Sequence, residues 1–485
     1  MEGKRPDRSP SRVLIYGAGS AGELVVRGLA GVNPRLVEPV AFIDDDASKA
    51  GGALQGLPIE SSSGPIQPIL KKYRADRVLI AMPSVSGLRI REIHRKLLSE
   101  EIPAWIVPGI SSIVSSDQPI TTYRTVNPED FLRRHPRVLE TGRVGPYLSG
   151  QRVLVTGAGG TIGTELVSQL RGFELEALGC VDHSELAIYH LKEKMTGGGR
   201  APDWYLSDMS RSGDVDHVFG SFQPTVVFHA AAYKHVSILE GSMRAAILNN
   251  VGSTLNMVHA ALSAPCVEAF VHISTDKAIL PTSVMGATKR AGELILQSAQ
   301  ARAGVDQRFL SVRFGNVLGS SGSVLPKLIE QIERGGPVTV TDPRARRYFM
   351  LTSEAVELVL LSAAIGRGGR IYLLDLGEPI VISDLVNDLI RFFGKTPGRD
   401  IPIVHTGLLP GEKLVEDLSV VPTRVARDAE HLLEVIDEPA ALEGIDAAVQ
   451  RLMESVDIRQ EDAAQALGEL VPEYQPSGRE EEVRL

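Results

Sequence analysis

Two glycine-rich segments constrain the fold of this chain more than any other feature of its sequence. Residues 12–29 read RVLIYGAGSAGELVVRGL, and residues 152–170 read RVLVTGAGGTIGTELVSQL. In each segment a short aliphatic run leads into closely spaced glycines and then into a helical pattern of apolar residues. A strand, a tight turn and a helix in this order are typical of a nucleotide-binding α/β unit. The sequence therefore predicts an α/β protein with two Rossmann-like, doubly wound domains.

The length of 485 residues also indicates more than one domain, because single hydrophobic cores rarely grow beyond roughly 250–300 residues. We expect a nucleotide-binding-like N-terminal domain, structural or regulatory in role, at residues 1–118 and a proline-interrupted linker at 119–150. The second domain is expected at 151–440, with a smaller substrate-binding subdomain towards its C-terminal end. Residues 441–485 carry helical patterning and finish in a polar tail that we expect to be mobile.

The second glycine segment is predicted to bind NAD because of the residues that follow it. The next strand, ALGCVD, ends in Asp182, where a carboxylate can accept both ribose hydroxyls of NAD and repel the phosphate of NADP. Asp208 is placed to contact adenine, and the small residues 230–232 allow a cofactor to pass closely. The residues predicted to bind the cofactor are Gly157, Gly160, Thr161, Ile162, Gly163, Asp182, Asp208, Met209, Ala230, Ala231, Ala232, Asn250 and Lys289.

Charge, cysteine content and hydropathy argue against several classes of protein. A net charge of -9 disfavours non-specific nucleic-acid binding. The two cysteines, Cys180 and Cys266, are too few for a disulfide framework or a zinc cage, and the apolar runs beside them predict that both are buried. No apolar run reaches the roughly 20 residues of a spanning helix, and the N-terminus lacks a signal-peptide core. We therefore expect a soluble, cytoplasmic protein without a metal site.

Candidate catalytic residues lie in the segment HISTDKAILPTSVMGATKRAGE, residues 272–293. The strand AFVHIST ends by delivering Thr275, Asp276 and Lys277 to the carboxyl edge of the predicted sheet. In an open α/β sheet that edge is the ligand crevice. We therefore expect these three side chains to face a bound substrate.

The helix after this strand carries Met285 and Lys289, four residues apart and hence on one face. A short-chain dehydrogenase has Tyr-x-x-x-Lys at this spacing, and its tyrosine takes a proton from the substrate alcohol. A thioether has no titratable proton, so Met285 cannot do this. Asp276 and Lys277 can instead act as a coupled acid and amine whose pKa values a desolvated pocket moves towards neutrality. Lys289 is expected to point at the nicotinamide ribose.

Seven motifs occur in order over residues 151–420: GAGGTIGTELV, HAAAYKHV, STDKA, RFGNVLGSSGSVLP, RYFMLTSEAVELVL, LDLGEPIVISDL and GLLPGEKLVEDL. Together they resemble the UDP-N-acetylglucosamine 4,6-dehydratases of polysaccharide biosynthesis, which are extended short-chain dehydrogenases. The N-terminal domain is similar to the region that precedes the catalytic domain in their long, usually membrane-bound members. Long members commonly carry methionine at the position of Met285, so the chain looks like a soluble variant of the long form.

This resemblance implies a reaction without net redox change. Hydride passes from C4 of the sugar to NAD, water is lost across C5 and C6, and hydride returns to C6. Lys277 would be the base at C5, Asp276 the acid at the C6 hydroxyl and Thr275 a hydrogen-bonding partner of the C4 hydroxyl. A base of this kind needs a depressed pKa, which desolvation under a bound sugar would provide. The acceptor of the C4 hydroxyl proton stays open, with Asp276 one candidate, directly or through Thr275 or water.

The resemblance also implies contacts to a UDP-sugar and, by analogy, a homo-oligomer. Asn316 would bind a phosphate or sugar oxygen, Arg347 the diphosphate and Glu412 the ribose hydroxyls. The contacts implied on the diphosphate and uracil side are Lys234, Ser323 and Val324. Structural alternatives stay open: a salt-bridged Arg347, a solvent-facing Glu412 and an Asn316 that caps a turn.

Two other functions also stay open. A UDP-sugar 4-epimerase shares the hydride step but needs no acid–base pair for elimination, so the STDK motif favours dehydration. A non-catalytic NAD-binding sensor or scaffold would keep the fold without turnover. The retained STDK motif and Lys289 argue against it.

Overall fold

The computed structural model divides the chain into two compact units. The first comprises residues 1–136, 328–338 and 384–403, and the second comprises 137–327, 339–383 and 404–485. Two segments of the predicted 151–440 domain, 328–338 and 384–403, belong to the first of these units. The residues described are 10–30, 37–82, 85, 87–107, 124–125, 141–196, 201–318, 324–374, 378–393, 395–416, 425–429, 432–435 and 444–476.

The first unit is built on a seven-stranded sheet of order β3-β4-β2-β1-β5-β6-β7. Its strands are β1 (Ser11–Tyr16), β2 (Val37–Asp44), β3 (Ala53–Leu54), β4 (Leu57–Ser61), β5 (Arg77–Ile80), β6 (Ala104–Ile106) and β7 (Arg124–Thr125). The helices between them are α1 (Ser20–Ala30), α2 (Gln67–Tyr73) and α3 (Gly87–Ser99). The five inner strands are parallel, and β3 and β7 pair antiparallel at the edges. Strand pairing therefore continues beyond residue 118, where the sequence placed the end of this domain.

The first glycine segment forms the predicted strand, turn and helix. Gly17 has a φ of +108°, in the region that favours glycine, and the N–H of Ala18 donates to Asp44 Oδ2 at 2.7 Å. A Cβ at Gly22 would lie 2.1 Å from the carbonyl oxygen of Gly17, so α1 approaches the turn only because that position has no side chain. These glycines therefore have a packing role within the first unit.

The second unit contains a nine-stranded sheet of order β10-β9-β8-β11-β12-β13-β18-β22-β21. Its strands are β8 (Arg152–Thr156), β9 (Ala177–Asp182), β10 (Asp203–Leu206), β11 (Val226–His229), β12 (Ala269–Ile273), β13 (Arg308–Arg313), β18 (Ile371–Leu374), β21 (Val425–Ala429) and β22 (Leu432–Val435). The first seven strands in this order, from β10 at the edge to β18, pair parallel with their neighbours. The last two, β22 and β21, pair antiparallel. The predicted α/β class with parallel sheets is confirmed.

Short strand pairs and helices surround this sheet. The remaining strands are β14 (Asn316–Val317), β15 (Val338–Val340), β16 (Arg346–Arg347), β17 (Phe349–Met350), β19 (Ile380–Val381) and β20 (Ile403–His405). The helices are α4 (Val144–Leu148), α5 (Thr161–Leu170), α6 (Glu185–Lys194), α7 (Ser212–Phe222), α8 (Val236–Glu240), α9 (Met243–Ala246), α10 (Ser253–Ser263), α11 (Val284–Arg302), α12 (Val324–Glu333), α13 (Thr352–Ile365), α14 (Ile382–Phe392), α15 (Ile445–Ser455) and α16 (Gln460–Leu470). Short 3-10 helices lie at 47–49, 141–143 and 276–278, and a π-helix lies at 247–252.

Strands β11 and β12 at the centre of the nine-stranded sheet are buried along their whole length, as expected for a parallel sheet covered on both faces. Helix α11 is buried continuously over residues 284–299, because the sheet, α10 and the π-helix pack against it together with α15 and α16. The predicted helical extension at 441–485 thus contains two helices. Its predicted mobile tail, from residue 477, and the short helix suggested by PEDFLRRH lie outside the described residues.

The two cysteines have different environments. Cys180 is buried in β9, as predicted, whereas Cys266 is exposed, so that part of the prediction was wrong. Cys266 follows the end of α10 in a turn, where an apolar neighbour in the sequence does not ensure burial. Within the described ranges, no helix combines the length and the apolar character needed to cross a bilayer.

Glu357 on α13 gives the stability of the second unit a pH dependence. Burial raises its pKa to about 7, assisted by the negative charges of Glu354 and Glu165. A carboxyl with a raised pKa stabilises the fold only while protonated, so this contribution is lost as the pH rises through about 7. We expect Glu357→Gln to increase the free energy of unfolding at pH 8 by roughly 1–2 kcal/mol, discounted for partial exposure, and to change it little at pH 5. Urea denaturation at both pH values tests this, with the exposed Glu193→Gln as control.

Candidate functional site

A large cavity lies at the carboxyl edge of the nine-stranded sheet. Its volume is about 820 Å³, and part of its lining is the second glycine segment, residues 157–163. The end of β12 contributes Thr275 and Lys277 to the same lining. Helix α11 adds Met285 and Lys289. Residues predicted separately to bind a cofactor and to carry out chemistry therefore share one cavity.

The second glycine segment has the geometry of a pyrophosphate-binding turn. Gly157 has a φ of +64°, and a Cβ there would lie 2.7 Å from the backbone of Ala231. A Cβ at Gly163 would lie 2.1 Å from the carbonyl oxygen of Gly157, so only glycine lets α5 approach the turn. Helix α5 begins at Thr161 after Gly160, which provides no capping side chain. The first-turn N–H groups are thereby left for an anionic ligand.

A smaller cavity of about 120 Å³ is lined by the same glycine turn and by Asp182, Asp208, Met209 and residues 230–232. Asp182 ends β9, and its Oδ2 accepts a hydrogen bond from the N–H of Gly159 at 3.0 Å. A carboxylate held at this strand end is the group that binds the ribose hydroxyls of NAD and disfavours the extra phosphate of NADP. The residues that line both cavities therefore fit NAD.

Asn250 is not among the described residues that line these two cavities. Its buried amide accepts from the N–H of Tyr233 at 2.8 Å and donates to the hydroxyl of Thr288 at 3.0 Å. Asn250 thus ties the segment after β11 to α11. Its neighbour Asn249, which the sequence did not single out, lines the smaller cavity. Asn249 and Asn250 lie in the π-helix at 247–252, so an α-helical period does not predict which of the two side chains faces the cavity.

Thr275, Asp276 and Lys277 lie together at the end of β12. The hydroxyl of Thr275 donates to Asp276 Oδ1 at 2.8 Å, and Lys277 Nζ donates to the same oxygen at 3.1 Å. Lys277 Nζ also donates to Asn316 Oδ1 at 3.2 Å. Gly286 allows this arrangement, because a Cβ there would lie 2.2 Å from the carbonyl oxygen of Lys277.

Asp276 differs from its two neighbours in being fully buried. It is 0% exposed and is not among the described residues that line the large cavity. Its Oδ2 has no hydrogen-bond partner among the described residues. Asp276 therefore reaches the cavity through the side chains of Thr275 and Lys277.

The pKa of Lys277 is raised, opposite to the depression expected from the sequence. Burial is the largest single influence and lowers this pKa, but the carboxylates of Asp276 and Glu416 together raise it by more. Lys277 is therefore an ammonium at neutral pH in this state. Sequence reasoning anticipated the desolvation but missed the second carboxylate.

Glu416 is a second residue of the site, after Asn249, that the sequence analysis did not identify. It is 3% exposed, and its Oε1 lies 3.4 Å from Lys277 Nζ and 3.9 Å from Arg347 Nε. Glu416 lies in the GLLPGEKLVEDL motif, from which the sequence analysis selected only Glu412 as a ligand-binding residue. Burial raises the pKa of Glu416.

Met285 and Lys289 share one face of α11, as predicted. Helix α11 starts at Val284 because the Ser283 hydroxyl caps it, accepting from the N–H of Gly286 at 3.1 Å. Burial lowers the pKa of Lys289 to about 7, against an opposing effect of Glu293. Lys289 therefore titrates much closer to neutral pH than an ordinary lysine and can change its charge when a ligand binds.

The residues expected to contact a UDP-sugar fall into two groups. Lys234, Asn316 and Val324 line the large cavity. Arg347 and Glu412 are not among the described residues of its lining; they bind each other, with Arg347 Nη2 2.6 Å from Glu412 Oε1. This is the salt-bridged alternative for Arg347, and its predicted contact with a diphosphate would require the pair to open. Ser323 lies outside the described residues.

A buried ion cluster lies between β12 and α11. Glu293 on α11 accepts from the Ser274 hydroxyl at 2.6 Å and from Arg313 Nε and Nη2 at 2.7 and 2.6 Å. Arg290 Nη1 lies 3.1 Å from the same carboxylate. Because Ser274 directly precedes Thr275, this cluster holds the strand end in register with α11. The described residues contain no group of three or more His, Cys, Asp or Glu side chains arranged to hold a metal ion.

Comparison with known proteins places this architecture in a family. Residues 153–435 match the family described as "Polysaccharide biosynthesis protein". Two relatives, each 38% identical over 84% of this chain and 68% of their own length, are the "Probable polysaccharide biosynthesis protein EpsC" of Bacillus subtilis and the "Capsular polysaccharide biosynthesis protein CapD" of Staphylococcus aureus. The X-ray structure of Pen from Bacillus thuringiensis aligns with a TM-score of 0.55 and 30% identity, covering 60% of this chain and 88% of Pen. This chain belongs to the polysaccharide biosynthesis protein family.

Proposed function

We propose that this chain is an NAD-dependent UDP-sugar 4,6-dehydratase that converts UDP-N-acetylglucosamine, or a close UDP-hexose, to the 4-keto-6-deoxy sugar nucleotide. The observation that supports this most is that Thr275 and Lys277 line the same 820 Å³ cavity as the dinucleotide-binding glycine turn, with Asp276 directly behind them. Water elimination needs a base and an acid beside the carbon that the cofactor oxidises. A cavity that brings these groups together meets this requirement.

The glycine turn, Asp182 and the first turn of α5 would hold the dinucleotide. When bound, NAD would supply the hydride acceptor for C4 of the sugar and, in its reduced form, the hydride donor for C6. Lys289 lines the large cavity and would face the nicotinamide ribose of a bound dinucleotide; burial lowers its pKa to about 7, so its charge can respond to the charge of a ligand.

The chain's own residues move the protons. The Thr275 hydroxyl binds the C4 hydroxyl and passes its proton to the buried Asp276, which is 2.8 Å away. Lys277, once neutral, removes the C5 proton made acidic by the neighbouring ketone. Asp276 returns its proton through Thr275 to the C6 oxygen, which leaves as water. Lys277 then returns a proton to C5.

The test is product analysis without added NAD, since the cofactor is regenerated in each turnover. The purified protein is incubated with UDP-N-acetylglucosamine and a small panel of UDP-hexoses, and products are analysed by mass spectrometry and NMR. Loss of one water, with NMR signals of a 4-keto-6-deoxy sugar, is the expected result. An isobaric product would identify a 4-epimerase, and unchanged substrates in the presence of bound NAD would identify a sensor or scaffold.

Met285 is expected to contribute to the shape of the cavity and not to its proton chemistry. Its side chain is 4% exposed and lies in the apolar cluster around α11. Met285→Leu conserves volume and should cost less than about 1.5 kcal/mol in stability and change kcat by no more than roughly threefold. Lys289→Met, on the same helix face, should reduce kcat far more. A loss of more than tenfold in Met285→Leu would show that the thioether takes part in the reaction.

A further inference from the structure

One buried charge beside the catalytic lysine has no role in the scheme above. Glu416 Oε1 lies 3.4 Å from Lys277 Nζ, and Glu416 Oε2 has no hydrogen-bond partner among the described residues. The residue is 3% exposed. An unsatisfied buried carboxylate oxygen is costly, so its retention calls for an explanation.

The charges around Lys277 favour its protonated form, whereas the proposed reaction needs the neutral amine. Its ammonium faces the carboxylates of Asp276 and Glu416, and the amide oxygen of Asn316 is its third partner. These contacts stabilise the charged form, which has no lone pair with which to take the C5 proton. Lys277 must therefore lose a proton before elimination, within a site from which a bound sugar excludes water.

The proton has one well-placed acceptor among the described residues. Asp276 is committed in the proposed scheme to the proton that comes from the C4 hydroxyl. The other carboxylate paired with Lys277 is Glu416. A shift of the proton from Lys277 to Glu416 replaces an ion pair by two neutral groups and leaves the total charge of the site unchanged.

We propose that Glu416 is the positioning residue that accepts the ammonium proton of Lys277 when the sugar binds, and so creates the neutral amine that removes the C5 proton. This inference rests on the proposed dehydratase function. The N–H bond of Lys277 breaks and an O–H bond forms on Glu416. Lys277 then takes the C5 proton and later returns it to C5, after which Glu416 gives its own proton back to Lys277. No external acid, base or oxidant is needed.

The surroundings of Glu416 favour its neutral form. Burial raises its pKa, and the charge of Asp276 acts in the same direction, against the positive charges of Lys277, Arg347 and Lys413. When Lys277 becomes neutral, the largest opposing charge disappears. Arg347 makes its shorter contact with Glu412, with Nη2 2.6 Å from Glu412 Oε1, whereas its Nε lies 3.9 Å from Glu416 Oε1.

The test compares wild type with Glu416→Gln, which keeps the shape but cannot accept a proton. Three quantities are measured with the UDP-sugar that wild type dehydrates: C4 oxidation from NADH absorbance in a single turnover, exchange of the C5 hydrogen with D2O, and steady-state kcat and KM. We expect C4 oxidation and KM to change less than threefold, and C5 exchange and kcat to fall by about 100-fold. The residual kcat should rise with pH, because Lys277 must then lose its proton to solvent.

Two further variants separate proton transfer from a structural role. Glu416→Asp keeps a carboxylate and should restore part of the C5 exchange together with the wild-type pH profile. Glu454→Gln, on the exposed face of α15, controls for loss of a carboxylate elsewhere. The inference is overturned if Glu416→Gln exchanges C5 hydrogen at the wild-type rate, or if the Asp variant is as slow as the Gln variant with the same altered pH profile. A wild-type protein that never releases water from any UDP-sugar would overturn the proposed function and this inference with it.

Discussion

Replacing Lys277 with alanine should reduce dehydration of the UDP-sugar by roughly 10³-fold or more, in the upper part of the range for loss of a general base. Its Nζ is the titratable group of the STDK motif that itself lines the large cavity. Without it, the C5 proton has no acceptor, although Thr275 and Asp276 remain to receive the proton of the C4 hydroxyl. The variant should therefore stop after the first half of the reaction.

The measurement follows both halves separately. Steady-state formation of the dehydrated product should be lost, whereas NADH absorbance in a single turnover should still report C4 oxidation. Asp276→Asn should differ from Lys277→Ala. It removes the carboxylate that accepts the C4 hydroxyl proton through Thr275, so it should slow C4 oxidation as well. Both variants should retain bound NAD, because neither residue belongs to the glycine turn.

Lys194→Ala is a suitable control because this lysine is exposed at the end of α6. It should behave as wild type. Dehydration at the wild-type rate in Lys277→Ala would show that another group takes the C5 proton. Loss of C4 oxidation in Lys277→Ala, with NAD still bound, would show that the ammonium is needed to bind the sugar.

Local sequence patterns were sufficient to predict the elements that build this site. The strand before Gly157 and the helix from Thr161 follow from an aliphatic run, closely spaced glycines and a helical apolar pattern, and the helix that starts at Val284 has a capping serine, Ser283. Since the carboxyl ends of parallel strands share one edge, the meeting of the glycine turn with Thr275 and Lys277 could also be predicted.

Pairing between distant parts of the chain could not be predicted in the same way. Arg347 and Glu412 were each assigned to a ligand, but they bind each other, because a motif gives residue types and not the direction of a side chain. Glu416 meets Lys277 across a large sequence separation. The contact with Glu416 contributes to the raised pKa of Lys277. The burial of Lys277 could be predicted from the sequence, but the direction in which its pKa shifts could not.

Replacing Glu293 with alanine should lower the free energy of unfolding by about 3–5 kcal/mol, the cost of leaving a buried charge without its partner. Glu293 is 0% exposed and binds Arg313, which is 1% exposed, through two hydrogen bonds of 2.7 and 2.6 Å. It also accepts from Ser274 at 2.6 Å, so its loss frees the strand end that carries the catalytic residues. Urea denaturation at a fixed NAD concentration measures the change, because bound ligand adds to stability.

The expected loss has a specific origin that a matched pair of variants can isolate. Glu473 binds the same cluster through Arg290 at 2.6 Å, but its side chain is 25% exposed, so Glu473→Ala should cost only about 1 kcal/mol or less. Replacing Glu293 with Leu and Arg313 with Met together should recover most of the stability, since no unpaired charge is then buried. That double variant should nevertheless remain slow in dehydration, because Ser274 loses its acceptor and the end of β12 is no longer held against α11. A Glu293→Ala protein as stable as Glu473→Ala would mean that water or another group replaces the carboxylate, and that the cluster does not fix the catalytic strand.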